Sequence, residues 1–262
     1  MKEKPRRSWK QRVISVLVCF CASWLVCIEA LNLIAWHFAR ETSRAHRNLN
    51  VLPKPVPDTS VAELAGSRIE RFGFSFQVPW KNVEQDRTAK SIAVVSFKEG
   101  GELLIFDPVF EADGAKNMRG TTSQQQKVMS DVLGSRTLSS NYDLMAAEVQ
   151  ATPAEVKWWA TRTQNTRNII MLMNKSTNIG DADVIYTISS SSMRGFQYGD
   201  PSVPPYVVKL DLFDGADKHY KIMVTGKNQH RSVISQAQIN ALVASVHPLP
   251  SQVVSSSASN GD

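Results

Sequence analysis

Apolar residues are distributed along this chain in two distinct ways. From Val13 to Phe38 the sequence is continuously apolar except at Ser15, Ser23, Glu29, Asn32 and His37. From Phe72 onward, apolar positions instead come in short runs with a period of two or of three to four. Those periods mark half-buried strands and amphipathic helices. The first pattern predicts a transmembrane helix over 13–38. A helix rises about 1.5 Å per residue, so roughly 20 residues cross a ~30 Å hydrocarbon core. The second predicts one folded domain over 60–250. Between them lies a juxtamembrane segment, 39–59, in which Pro53, Pro55 and Pro57 predict an extended, semi-rigid spacer. The Ser-rich segment 251–262 has little to bury and is expected to be a disordered tail.

Within the domain the pattern predicts three strands first. Phe72, Phe74, Phe76 and Val78 alternate with small or polar residues, and Pro79 ends the run. Strands over 92–97 and 103–106 follow, joined as a hairpin at Gly100-Gly101. Helices come next. Ser123 and Gln126 have capping-box spacing, and Asn141 is expected to cap a short helix to Val149. Thr152-Pro153-Ala154-Glu155 combines a capping box with Pro at the first helical position. It predicts a long helix over 153–175, with Val156, Trp159, Thr163, Thr166, Ile170 and Met173 on its buried side. The last third returns to strands at 184–189, 193–198, 206–212 and 220–224, with Asp214-Gly215 as a hairpin turn. A final helix runs from Ser235 to Val246, burying Ile239, Leu242, Val243 and Val246. Grouped hairpins and grouped helices define an α+β fold. The expected architecture is an N-terminal transmembrane helix plus one antiparallel-sheet domain covered by helices, in an α/β/α sandwich-like arrangement.

The opening strand with its Pro-Trp end (FGFSFQVPW, 72–80), the central hairpins and the closing helix (INALVASVHP, 239–248) resemble the PsbP-like α/β/α domains. The helical insert from 123 to about 175 departs from that pattern. The resemblance carries no catalytic residues. It implies a compact accessory domain rather than an enzyme.

Charge sharpens the division. The first 47 residues hold nine Lys/Arg and three Asp/Glu; the other 215 hold 21 of each. The overall net charge of +6 therefore belongs to the flanks of the apolar run. It speaks for anionic lipid and membrane orientation, and against nucleic acid as a partner. Lys2, Lys4, Arg6, Arg7, Lys10 and Arg12 form a basic head, 1–12, on one side of the run, against Arg40, Arg44 and Arg47 on the other. The more basic flank tends to stay cytoplasmic. The N-terminus is thus expected inside and the domain outside, periplasmic or extracellular, with 13–38 a retained signal-anchor. Cys19, Cys21 and Cys27 all fall inside the run. The domain has no thiol for a disulfide, a nucleophile or a thiolate metal site.

Candidate contact residues follow from spacing. Ala22, Leu25, Glu29, Asn32 and Trp36 step by three and four residues and share one helical stripe. An ionisable residue in a span faces protein or water rather than lipid, so the stripe predicts a partner helix or a homo-oligomer seam, with the lipid bilayer on the other sides. On the domain, Trp158 is a candidate surface contact, since Trp159 fits the buried stripe; the alternative is that both indoles pack under neighbouring strands. Arg194, Phe196 and Tyr198, set among glycines, are candidates for a binding edge. No His-rich metal spacing, nucleophile elbow or phosphate loop is present, and no cofactor is implied. Asp211, Asp214 and Asp217 lack the order of a calcium loop. The sequence therefore favours a non-enzymatic interaction or accessory module. The alternative is a small-molecule-binding domain, or an enzyme whose site is assembled from distant residues.

Overall fold

The computed structural model describes residues 30–108, 127, 130–134, 139–227 and 231–249. Residues 1–29 and 251–262, and most of the helix expected at 123–133, lie outside these. The first described helix, α1, covers residues 30–45. A 3₁₀ turn at Arg47–Asn50 leads to a two-residue strand, β1 (Lys54–Pro55). β2 (Arg68–Arg71) and β3 (Phe74–Gln77) form a hairpin, and β4 (Val83–Thr88), β5 (Ile92–Phe97) and β6 (Gly101–Phe106) form a meander. The helices α2 (Asn141–Gln150) and α3 (Arg162–Ile179) follow. Then come β7 (Ile185–Ser189), β8 (Arg194–Tyr198), β9 (Val208–Phe213), β10 (His219–Gly226), α4 (Gln236–Ala244) and β11 (His247–Pro248).

The result is α+β with a large mixed sheet. Eight strands run in the order β1-β7-β8-β9-β10-β6-β5-β4, and β11-β3-β2 form a second, three-stranded sheet. The expected sheet was antiparallel throughout. It is mixed because β1 pairs parallel to β7, Lys54 beside Tyr186 and Pro55 beside Thr187. The Pro-rich segment thus lies on the domain instead of holding it away. An edge strand is where Pro, which lacks a backbone donor, is tolerated.

Local chemistry explains the other differences. The alternation that begins at Phe72 is a strand only from Phe74. Phe72 and Gly73 both have positive φ, 50° and 78°, and form the two-residue turn between β2 and β3, the geometry that matches strand twist. The exposed strand β4 has no apolar alternation to betray it; its pairing with β5 makes it. The expected long helix breaks in two. Pro153–Glu155 is a 3₁₀ turn without a side-chain cap, and α3 starts at the Thr161/Gln164 capping box. Ser140, rather than Asn141, caps α2. The Ser235/Gln238 box caps α4 as its spacing predicts.

The two faces of the large sheet are covered differently. On one, Val95, Leu103, Leu210, Leu212, Ile222 and Val224 meet Phe74 and Phe76 of the small sheet and Ile239 and Leu242 of α4. Gly101 lets β6 pass beneath Trp80, since a Cβ there would lie 2.3 Å from the indole. On the other, Ile185, Phe196 and Tyr198 meet Val149 and Ile179 of the helical layer. A third cluster joins the helices themselves, with Ala35 and Ala39 of α1 against Leu144, Met171 and Leu172.

Candidate functional site

Three places gather polar or exposed aromatic side chains, and all three involve the helical side of the sheet. The first is a buried seam under α2. Register places Asp211 of β9 opposite Phe196 of β8, and Phe196 is in the cluster facing α2 and α3. Asp211 is thus turned to the helices, with Phe213 on the same face, while Val208, Leu210 and Leu212 of the strand fill the opposite core. His219 Nε2 lies 2.8 Å from Asp211 Oδ1, and its ring stacks on Phe213 at 4.7 Å. Glu148 of α2 accepts from Asn174 Nδ2 at 2.7 Å and Asn178 Nδ2 at 3.2 Å. Desolvation, aided by the Asp211 charge, raises the Glu148 pKa to about 7 against the pull of Asn174 and His219. Tyr198 is pushed well above its ordinary value by burial and by both carboxylates. Its hydroxyl lies outside normal hydrogen-bond geometry. Lys175 of α3 is fully buried and donates from Nζ to Val51 O at 2.7 Å and Ala151 O at 2.8 Å. Burial lowers its pKa to about 8.

The second place is a cleft of about 410 Å³ at one end of the sheet, between the α3–β7 connection and the β8–β9 connection. Lys54, Lys209, Asp181, Asp183 and Asp200 line it, with Tyr186 and Tyr198 at its wall. Tyr186 Oη donates to Asp200 Oδ2 at 3.0 Å. Burial and that bond raise the phenol to about 12. Burial also presses upward on Asp200, but the Ser202 hydroxyl and amide, Tyr186 and the Lys54 charge outweigh it and hold the carboxyl below its usual value.

The third is the junction of α1 with the domain. Asn32 Nδ2 donates to Ala160 O at 3.1 Å, and Asn165 Nδ2 donates to Asn32 Oδ1 at 3.1 Å. Asn165 also closes the loop before α3, bonding Lys157 O at 2.8 Å and accepting from Lys157 N at 3.2 Å. Beside this junction Trp158 and Trp159 are 46% and 64% exposed, their rings edge to face at 5.5 Å.

The candidate residues fare unevenly. Ala22, Leu25 and Glu29 lie outside the described residues. Asn32 meets the chain's own domain, and Trp36 is half-buried with the Arg40 guanidinium 5.4 Å from its ring centre. Trp158 is exposed, but so is Trp159, which the stripe had placed inside; both belong to a turn, where helical spacing does not apply. Phe196 and Tyr198 are corrected outright as surface residues. At 2% and 1% exposure they are core side chains of a strand flanked on both sides. Arg194 is exposed at the strand's start, its guanidinium 4.0 Å over the Tyr142 ring. Sequence reasoning missed Glu148, Lys175 and the cleft. The one available signal was an Asp at position 211 between leucines in a strand buried on both faces.

The three aspartates near the β9–β10 turn have protein partners. Asp214 accepts from Ala216 N and Lys218 N, and Asp217 accepts from Asn141 N and Tyr142 N at the start of α2. Among the described residues no group of His, Cys, Asp or Glu is arranged to hold a metal ion. No described helix is long and apolar enough to cross a membrane; residues 13–29 of the expected span are not among those described. Fold and site together define the class: an α+β domain whose large mixed sheet carries helices, with a polar seam and a cleft on the helical side. Compared with known proteins, the chain matches no family model, no curated protein and no solved structure.

Proposed function

We propose that this chain is a single-pass, membrane-anchored domain facing the extracytoplasmic side, working as a non-enzymatic interaction or accessory module of an envelope or membrane complex. The observation that carries the reading is the docking of α1. The helix that continues the apolar run is bonded through Asn32 to Ala160 and Asn165 and packs Ala35 and Ala39 against the helical layer. A contact made at Glu29 is then coupled directly to the domain. Two weak contacts held on one body reinforce each other through effective concentration. The test is crosslinking in native membranes followed by affinity recovery, wild type beside Glu29→Leu. A specific partner, or a second copy, is recovered with wild type and reduced in the variant. Chain absent from the carbonate-resistant membrane fraction, or no specific species in either sample, overturns the reading.

The cleft favours a second reading, a small-molecule-binding domain. Lysines and aspartates together in its lining suit a small zwitterion. A thermal-shift screen that finds a ligand for wild type, lost in Lys209→Ala, would move the assignment there.

A further inference from the structure

The docking of Asn32 has a consequence for where the bilayer ends. A side chain bonded to the domain's own backbone and to Asn165 belongs outside the hydrocarbon. The boundary then falls near residue 30, and the apolar run before it, Val13 to Glu29, has 17 residues. That is the short end of what spans a bilayer, and short spans are compensated by interfacial residues beside them. The surface around residue 30 has those residues. Leu31, Ile34 and Phe38 of α1 are exposed at 51%, 65% and 57%. Trp158 and Trp159 stand in the turn that ends at Ala160, the residue Asn32 touches. Lys157 Nζ lies 5.7 Å from the centre of the Trp159 ring, and exposed Arg162 opens α3 next to them. Beside Trp159 is a shallow depression of about 480 Å³, lined by Lys157, Gln164, Arg167 and Asn168, with Glu155 at its edge.

We propose that the Trp158-Trp159 turn is a membrane-interface anchor that seats the domain on the lipid surface beside the emerging helix. The inference rests on the anchored reading above. Tryptophan has an apolar body and a polar N–H, which is why it collects at the headgroup level. Two exposed indoles in the interior-facing position of no core, next to the exit of an apolar run and flanked by Lys157 and Arg162, match that environment on each count. Lipid is favoured over a protein occupant because the Asn32–Ala160 bond holds the turn beside the end of the apolar run, and its flanking cations suit phosphate headgroups.

The test uses the full chain reconstituted in phosphatidylcholine–phosphatidylglycerol vesicles, with and without bromine on the acyl chains near the glycerol. The chain has six tryptophans; subtracting the emission of Trp158→Phe/Trp159→Phe from that of wild type isolates the pair. Most of the pair's emission is expected to be lost to brominated lipid, while an unchanged melting curve shows the variant folded. If the remaining emission, which includes Trp24 in the apolar run, is quenched but the pair's is not, the anchor stands and the interface contact is wrong. If neither is quenched and the chain does not float with the vesicles, the anchored reading falls and takes this inference with it. A pair untouched in vesicles but shielded from aqueous quencher in native membranes identifies a protein occupant and overturns the lipid assignment.

Discussion

The two faces of the large sheet are built from the same strands and behave as different materials. The face under α4 and the small sheet is dry: Phe74, Phe76, Trp80, Phe97 and Tyr220 interlock with aliphatic residues, and the Gln197–Gln236 pair satisfies both its amides. The face under α2 and α3 buries Glu148, Asp211 and Lys175; Asn174 and Asn178 donate hydrogen bonds to Glu148, and Asn165 donates one to Asn32 of α1. The difference teaches where stability and adaptability lie. Burial of hydrocarbon is favourable without geometry, whereas a buried charge is tolerated only while every partner stays in place. The polar face is also the one that receives α1, so the part of the domain on which that helix rests is the part most sensitive to its partners.

Truncation on the dry face is expected to give the largest effect. Phe74 is fully buried, 5.0 Å from the Tyr220 ring and 5.8 Å from that of Phe76. Phe74→Ala should cost about 3–5 kcal/mol, and that difference from wild type should not vary with pH, because the ring packs on the Phe76 and Tyr220 rings and meets none of the charged groups of the other face. Denaturant unfolding measures it. A loss below about 1 kcal/mol, a typical small mutational effect, would mean that the small sheet contributes little to the core.

On the polar face the expected effect depends on pH. The unfolded chain releases the Glu148 proton near 4.5, and the folded chain holds it to about 7. Between those values the folded state binds more protons, so stability falls as pH rises. The groups facing Glu148 are Asp211 of β9, His219 of β10, Tyr198 of β8, and Asn174 and Asn178 of α3. Glu148→Gln keeps the shape of the neutral acid. It should match wild type at pH 4.5 and exceed it by about 3 kcal/mol at pH 8. Parallel melting curves at both pH values would break the comparison: the seam would then be solvated.

What was legible in the sequence was whatever depends on local period or capping. The hairpin β5–β6, the β9–β10 turn at Asp214-Gly215 and the Ser235 cap follow from neighbours within a few residues. What was not legible depends on residues far apart. Lys54 and Pro55 read as spacer because their partner strand lies about 130 positions away, at Tyr186 and Thr187. The Thr152 and Thr161 capping signals compete within ten residues; tertiary bonds from Asn165 to Lys157 hold the turn between them. Phe196 and Tyr198 read as a binding edge because glycines and aromatics look the same in a loop and in a strand covered on both faces. The polar seam was the least visible part, since Glu148, Asp211 and His219 have no spacing in common and meet only through the sheet register and the packing of α2 on the sheet.

The smallest expected effect bears most directly on how α1 and the rest of the domain are joined. Asn165 serves two elements, bonding Asn32 of α1 and Lys157 in the turn before α3; Asn32 serves only the docking of α1. A double-mutant cycle separates the two roles. In the full chain in detergent, Asn32→Ala should cost about 1 kcal/mol, the net value of a hydrogen bond or two. In an Asn165→Ala background it should cost measurably less, because one of its two partners has already gone. Asn165→Ala alone should cost more than Asn32→Ala, since it also removes the acceptor of the Lys157 amide and one of the two donors to the Lys157 carbonyl, Ala160 N being the other. Additive costs would mean that α1 does not rest on Asn165. The polar face would then be a surface that α1 merely passes, and its buried charges would have to be explained by the cleft and its Lys54 and Lys209 side chains instead.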